Sequence, residues 1–193
     1  TAVGQGALFA NTTGSGGTAV GQNALGANTT GANTAVGSGA LALNMIGNAN
    51  TAVGLTALNH NTNGNFNNAF GDNALAANTD GIRNNAFGRF ALNMNTSGDE
   101  NVAVGNFAGT TNTSANANLT GNDNTFIGWN TGPGSPTQLS NATAIGANAV
   151  VTQDNSLVLG SINGVNGAAS SVKVGIGTAA PTVALDVVGN ARA

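Results

Sequence analysis

The chain has no cysteine and no tyrosine, and its 193 residues hold one tryptophan, one histidine, three prolines and only four basic and seven acidic side chains. Without cysteine there is no disulfide framework and no thiolate metal site. With a net charge of −3 and a pI near 4.5, it lacks the clustered Lys and Arg by which a nucleic-acid binder displaces counterions. One His, one Lys and scattered acids leave too few groups for a catalytic site, so we expect neither an enzyme nor a cofactor. Asp99 and Glu100 are sequence neighbours, a poor pair for glycoside cleavage. No apolar run reaches the length of a membrane span, so no membrane insertion is expected within this chain. The chain opens at Thr1 with neither Met nor an apolar signal stretch, which reads as a fragment or a processed product.

What the chain does contain is 30 glycines, much Ala, Asn and Thr, and a hydrophobic content of 40%. That composition alone would suit a disordered low-complexity segment. Periodicity excludes it. TAVG occurs at 1, 18, 34 and 51, NAFG at 68 and 85, and VAVG at 102. The closing glycines are Gly4, Gly21, Gly37, Gly54, Gly71, Gly88 and Gly105, in steps of 17, 16, 17, 17, 17 and 17. Ala-Leu follows the first six, ending at Leu8, Leu25, Leu41, Leu58, Leu75 and Leu92. Asn lies seven after every glycine, at Asn11, Asn28, Asn44, Asn61, Asn78, Asn95 and Asn112, and a second Gly column runs from Gly14 to Gly98.

A period of about 17 residues is too short for helical-pair repeats and fits one coil of an all-β parallel β-roll or β-solenoid. Side chains alternate along Thr34-Ala35-Val36. On the expectation that the larger apolar residue is inside, Val36 and Val53 point inward with Thr beside them, and Leu41 and Leu58 supply the second inward group. Glycine turns the corners at positive φ. The Asn column is a turn residue or a stacked amide ladder. Seven coils at the strand spacing make a rod of roughly 30 to 35 Å. So thin a core falls short of the entropy of ordering each coil, which favours packing several chains about a common axis.

The regular repeat occupies 1–115. Over 116–160 the pattern loosens, with longer intervals around Asn116 to Asn124 and around Pro133 and Pro136 expected to be protruding loops. Residues 161–171, SINGVNGAASS, read as a flexible connector, and 172–193 hold two further strands, Val172 to Ile176 and Val183 to Val188, around Pro181.

The stretch ATAIGANAVVTQDNSLVLGS, 142 to 161, resembles the 14-residue head repeats of YadA-like trimeric autotransporter adhesins. That resemblance implies a trimeric left-handed β-roll, intertwined or side by side, with Ile145, Val150, Leu157 and Leu159 inward. The longer units are also similar to repeats of phage tail fibres and bacterial surface fibres that carry an endosialidase-type intramolecular chaperone. VGIGT at 174–178, then Pro181 and Leu185-Asp186-Val187, resembles the stretch that precedes that chaperone. The chaperone itself is absent, since the sequence ends at Ala193, as would a matured fibre or a truncated chain.

Candidate sites are sparse. Trp129, with Asn130 beside it, is the place where an aromatic at a loop tip could touch a receptor. Against that stands a covering role at the end of the regular array. His60 has no second His or repeating acid near it and reads as a solvated loop residue. The acids do not recur in register as a calcium-binding roll requires, and no GxxxxGK[ST] accompanies the glycines. Phe66, Phe90 and Phe107 read as plugs between chains. The expected role is the shaft or head of an extracellular homotrimeric fibre, on a cell surface or virion tail, that meets a host-surface glycan or protein receptor. A self-polymerising filament and an ice-binding solenoid are the alternatives; Thr18, Thr34 and Thr51 placed inward, and the change to Asn68 and Asn85, count against ice.

Overall fold

The computed structural model describes residues 1–189. It is an all-β parallel solenoid, with ten short strands stacked in one sheet and thus about nine turns. In chain order these are β1 (Ala2–Val3), β2 (Thr18–Val20), β3 (Thr34–Val36), β4 (Thr51–Val53), β5 (Asn68–Phe70), β6 (Asn85–Phe87), β7 (Val102–Val104), β8 (Thr125–Ile127), β10 (Thr143–Ile145) and β12 (Leu157–Leu159). Each strand pairs with the equivalent residues one coil away, so Thr34 faces Thr51 and Ala35 faces Ala52. The sequence repeat and the hydrogen-bond register are the same period.

The strands point the opposite way from expectation. Ala19, Ala35, Ala52, Ala69, Ala86 and Ala103 are fully buried, whereas Val36 is 38% exposed. Val53 is half-buried and likewise on the outer face, with Thr34 and Thr51 beside the valines. Alternation defines two faces, but the space inside selects between them. This lumen already holds a second Ala, a Leu and two Asn side chains per coil, and only a methyl group fits at the strand centre. The expectation for Ile145, Leu157 and Leu159 fails for the same reason: all three are on the outside, while Ala144 is buried. Val150 is buried as expected, in a different sheet.

Leu25, Leu41, Leu58, Leu75 and Leu92 are fully buried as the spacing predicts. All five adopt left-handed backbone, with φ between 47° and 52°, an uncommon state for a bulky residue. Inter-coil hydrogen bonding holds it: Leu41 N–H donates to the Ala57 carbonyl at 3.0 Å and Leu58 N–H to that of Ala74 at 3.0 Å. Gly54 at the preceding corner has φ +140°, and a Cβ there would lie 2.4 Å from the Gly71 carbonyl oxygen. Gly21, Gly37, Gly71 and Gly88 repeat that corner. In the second glycine column the demand is space. A Cβ on Gly64 would meet Asn61 Oδ1 at 2.3 Å and the Gly81 oxygen at 2.5 Å.

Of the two readings of the first Asn column, the amide ladder is present, and it is buried from Asn28 onward. Asn28 Nδ2 donates to Asn11 Oδ1, Asn44 to Asn28, Asn61 to Asn44, Asn78 to Asn61 and Asn95 to Asn78, at 2.7–3.3 Å. Asn44, Asn61, Asn78 and Asn95 also cap the carbonyl three residues on. A second buried ladder, not anticipated, runs through Asn33, Asn50, Asn67, Asn84, Asn101 and Asn124. Each Oδ1 accepts the backbone N–H of its counterpart in the next coil at 2.9–3.0 Å, as from Asn50 to Asn33 and from Asn84 to Asn67. These columns supply the polar half of the core, and among the described residues no buried side-chain polar atom lacks a partner.

The solenoid widens at the 23-residue step between Gly105 and Gly128. Asn112 leaves the ladder, and Asn118 takes its place, donating to Asn95 Oδ1 at 3.1 Å. The insertion is therefore 112–117, carrying a 3-10 turn at Ser114–Asn116; residues 118–124 are back in register rather than looped out. Here Phe126 occupies the strand position that Ala holds elsewhere and is fully buried. Room for it comes from Gly109, which stands where earlier coils have Leu. Pro133 does not protrude either: it is buried in β9 (Gly132–Pro133), which pairs parallel with β11 (Val150–Val151). Residues 161–171 fold back on the solenoid. Asn112 N–H donates to Asn166 Oδ1 at 2.8 Å, and Asn166 Nδ2 donates to the Asn130 carbonyl. β13 (Val174–Ile176) and β14 (Leu185–Val187) form the expected terminal strands as a parallel pair. The tail of the 172–193 segment, from 190, lies outside the described residues.

Candidate functional site

The two residues singled out from sequence have different fates. Trp129 follows the corner Gly128 and is 51% exposed. Asn130 is buried; its Nδ2 donates to Asn148 Oδ1 at 2.9 Å and to the Asn166 carbonyl at 3.2 Å. Asn130 is therefore a joint between the coil and the folded-back segment, and it is not available to a ligand.

Several of the ionisable groups bond within the solenoid. Asp99 Oδ1 accepts the Ile82 N–H and Asp154 Oδ1 accepts the Ser140 N–H, positions where Asn48 and Asn65 do the same work in other coils. Arg83 pairs with Glu100 at 2.8 Å and Arg89 with Asp72 at 3.2 Å, both on the surface. Arg89 also lies 4.4 Å over the Phe90 ring, which stacks on Phe107 at 5.1 Å between centroids. Phe90 and Phe107 thus pack on each other within the chain, while Phe66 is 55% exposed. His60 is exposed, with Nδ1 3.1 Å from the Ala76 carbonyl oxygen. Among the described residues no three His, Cys, Asp or Glu side chains gather where a metal ion could sit.

Two surface features remain. The first is the outer face of the long sheet, where one apolar side chain per strand forms a column from Val3 through Val20, Val36, Phe70, Phe87, Val104, Ile127 and Ile145 to Leu159. From Val20 onward these are 37–46% exposed, and Phe70 and Phe87 stack at 5.1 Å with an interplanar angle of 6°. The second is a groove on the first three coils lined by Gln5, Phe9, Gln22, Asn23 and Leu43. Sequence reasoning missed both. The column was assigned to the interior, and the groove is marked only by departures from the repeat at Phe9 and Gly26.

No family model, no curated protein and no solved structure matches this chain. Its class is that of parallel β-solenoids of about 17-residue coils. No helix is long and apolar enough to cross a membrane among the described residues.

Proposed function

We propose that this chain is the shaft or head segment of an extracellular homotrimeric fibre whose task is to display receptor-binding surfaces. The observation that carries the reading is the outward apolar column. Monomeric surfaces rarely expose a continuous apolar patch of this kind, and this one repeats at the coil period along the long sheet. Because each strand presents an apolar side chain at the same place, parallel copies of the chain can meet along the column in register. A three-fold arrangement follows from the resemblance to YadA-like heads and tail-fibre repeats. Around such an axis, equivalent outer faces convert weak contacts into avidity. A glycan or protein receptor on a host surface is the proposed partner, with Trp129 as one exposed aromatic contact. Light scattering on the purified chain tests the assembly. A mass near three times 18.6 kDa is expected; a compact monomer refutes it.

A second reading has a specific observation in its favour. Thr18, Thr34 and Thr51 are on the outer face of the sheet, so their supposed inward placement no longer opposes an ice-binding surface. The change to Asn68 and Asn85 in the same column still does. Thermal hysteresis in a freezing assay would bring this reading to the front.

A further inference from the structure

In a repeat protein every coil meets the same structural demand, so side chains that depart from the repeat on a lateral face are free to serve something else. Such departures converge on the first three coils. The column five residues after the corner glycine carries Phe9, then Gly26, Ala42, Asn59, Ala76, Asn93 and Thr110, so the aromatic ring is the departure and two of the smallest residues sit beside it. Gly26 and Ala42 leave a trough of about 570 Å³ beside the Phe9 ring, which is 86% exposed. That volume is in the range of small-ligand sites. Gln5 and Gln22, equivalent positions of adjacent coils, line the trough together with Leu43. Asn23 folds over Gly6, its Oδ1 resting where a Cβ would otherwise stand. Among the described residues the side-chain amides of Gln5, Gln22 and Asn23 have no protein hydrogen-bond partner. No Asp, Glu, Lys or Arg occurs anywhere from Thr1 to Gly71.

We infer that this groove binds a short neutral oligosaccharide. An aromatic ring offers a flat apolar surface to the C–H face of a sugar ring. Each primary amide supplies two donors and an acceptor, which matches the vicinal hydroxyls of a pyranose. The lack of any charged side chain selects against anionic sugars, nucleotides and phosphates, since no cation is near to offset their desolvation. A hydrophobic peptide would bury Phe9 and Leu43 but leave the three amides unanswered. The inference names a partner class for the display role proposed above, yet it rests on one chain's residues and does not require three-fold assembly.

The test is retention of the full chain on immobilised neutral oligosaccharides built of hexose and N-acetylhexosamine units, beside their sialylated and sulfated counterparts. At least one neutral glycan is expected to bind, with retention unchanged as NaCl rises from about 0.1 M to about 1 M. Phe9→Ala and Gln22→Ala are each expected to weaken it at least about tenfold, with circular dichroism unaltered because both side chains are exposed. Absence of neutral-glycan binding overturns the inference. So does binding that survives both substitutions, or that salt abolishes. Light scattering on the same samples separates the two proposals. A trimer that holds no glycan sinks the groove alone, whereas a monomer that holds one sinks the fibre alone. A Phe9→Ala chain of altered mass makes the groove a chain contact and likewise overturns it.

Discussion

Replacing Asn61 tests whether the buried amides hold the coils together. Its Nδ2 donates to Asn44 Oδ1 at 2.7 Å and to the Gly64 carbonyl at 2.9 Å, and its Oδ1 accepts from Asn78 at 2.8 Å. Gly64 retains a donor in Asn50, and Asn78 retains the Gly81 carbonyl. In Asn61→Ala, Asn44 Oδ1 and one of the two Asn78 Nδ2 hydrogens are therefore left without a partner. Three net hydrogen bonds at about 0.5–1.5 kcal/mol each give a loss of about 1.5–4.5 kcal/mol, and each orphaned buried group adds about 1–3 kcal/mol. For a chain of this length the hydrogen bonds alone correspond to a fall in Tm of roughly 3–18 °C. Asn61→Asp keeps the shape but sets oxygens against Asn44 Oδ1 and the Gly64 carbonyl. Burial and those oxygens raise its folded pKa above the unfolded value of about 3.9. The folded state then keeps its proton over a range where the unfolded chain has lost it. The penalty is thus greatest above the folded pKa and shrinks as pH falls toward the unfolded one. Thermal melts followed by circular dichroism, at one fixed chain concentration and a series of pH values, read both effects. Asn63→Ala on the exposed surface is the control. If Asn61→Ala melts within about 0.5 kcal/mol of the parent, as surface substitutions do, the ladder is not what binds coil to coil.

Gly71→Ala should cost more than about 3 kcal/mol in the same melts. Its φ is +143°, and the new methyl would lie 2.5 Å from the Gly88 carbonyl oxygen, so the coils must part. Phe126→Ala should cost about 3–5 kcal/mol, because Gly109 beside it has no side chain with which to fill the void. Phe87→Asp on the outer face should lower the light-scattering mass to that of one chain, with the circular dichroism spectrum preserved. An unchanged mass would remove the apolar column as the assembly surface.

The 17-residue period made the solenoid legible because in-register parallel pairing forces every coil to repeat its chemistry, as the Leu and Asn columns did. Which strand face is inside was not legible. Alternation in Thr34-Ala35-Val36 is compatible with either choice, and the width of the lumen, set by Leu41, Asn44 and Asn50 together, decides for Ala35. The second ladder did leave a mark, an Asn directly before each strand at 33, 50, 67, 84, 101 and 124. It drew no reading of its own, because Asn beside a turn is commonplace. The insertion at 112–117 was misplaced because Asn112 keeps the expected spacing while Asn118 supplies the contact. Asn130 showed no sign of burial, since its partner Asn166 is 36 residues away. The groove could have been found by asking where the repeat breaks its own rules on a face that no neighbouring coil needs.

The first amide ladder runs one way. From Asn28 to Asn118 each Nδ2 donates to the preceding coil, and from Asn28 to Asn95 each Oδ1 accepts from the following one, the ladder closing where Asn118 Oδ1 accepts from Asn124 of its own coil. The side-chain dipoles therefore add head to tail, as peptide dipoles do along an α-helix, and hydrogen bonds linked in such a chain polarise one another. A solenoid with few formal charges thus carries a built-in electrical direction along the coils from Asn11 to Asn118, set by neutral amides alone.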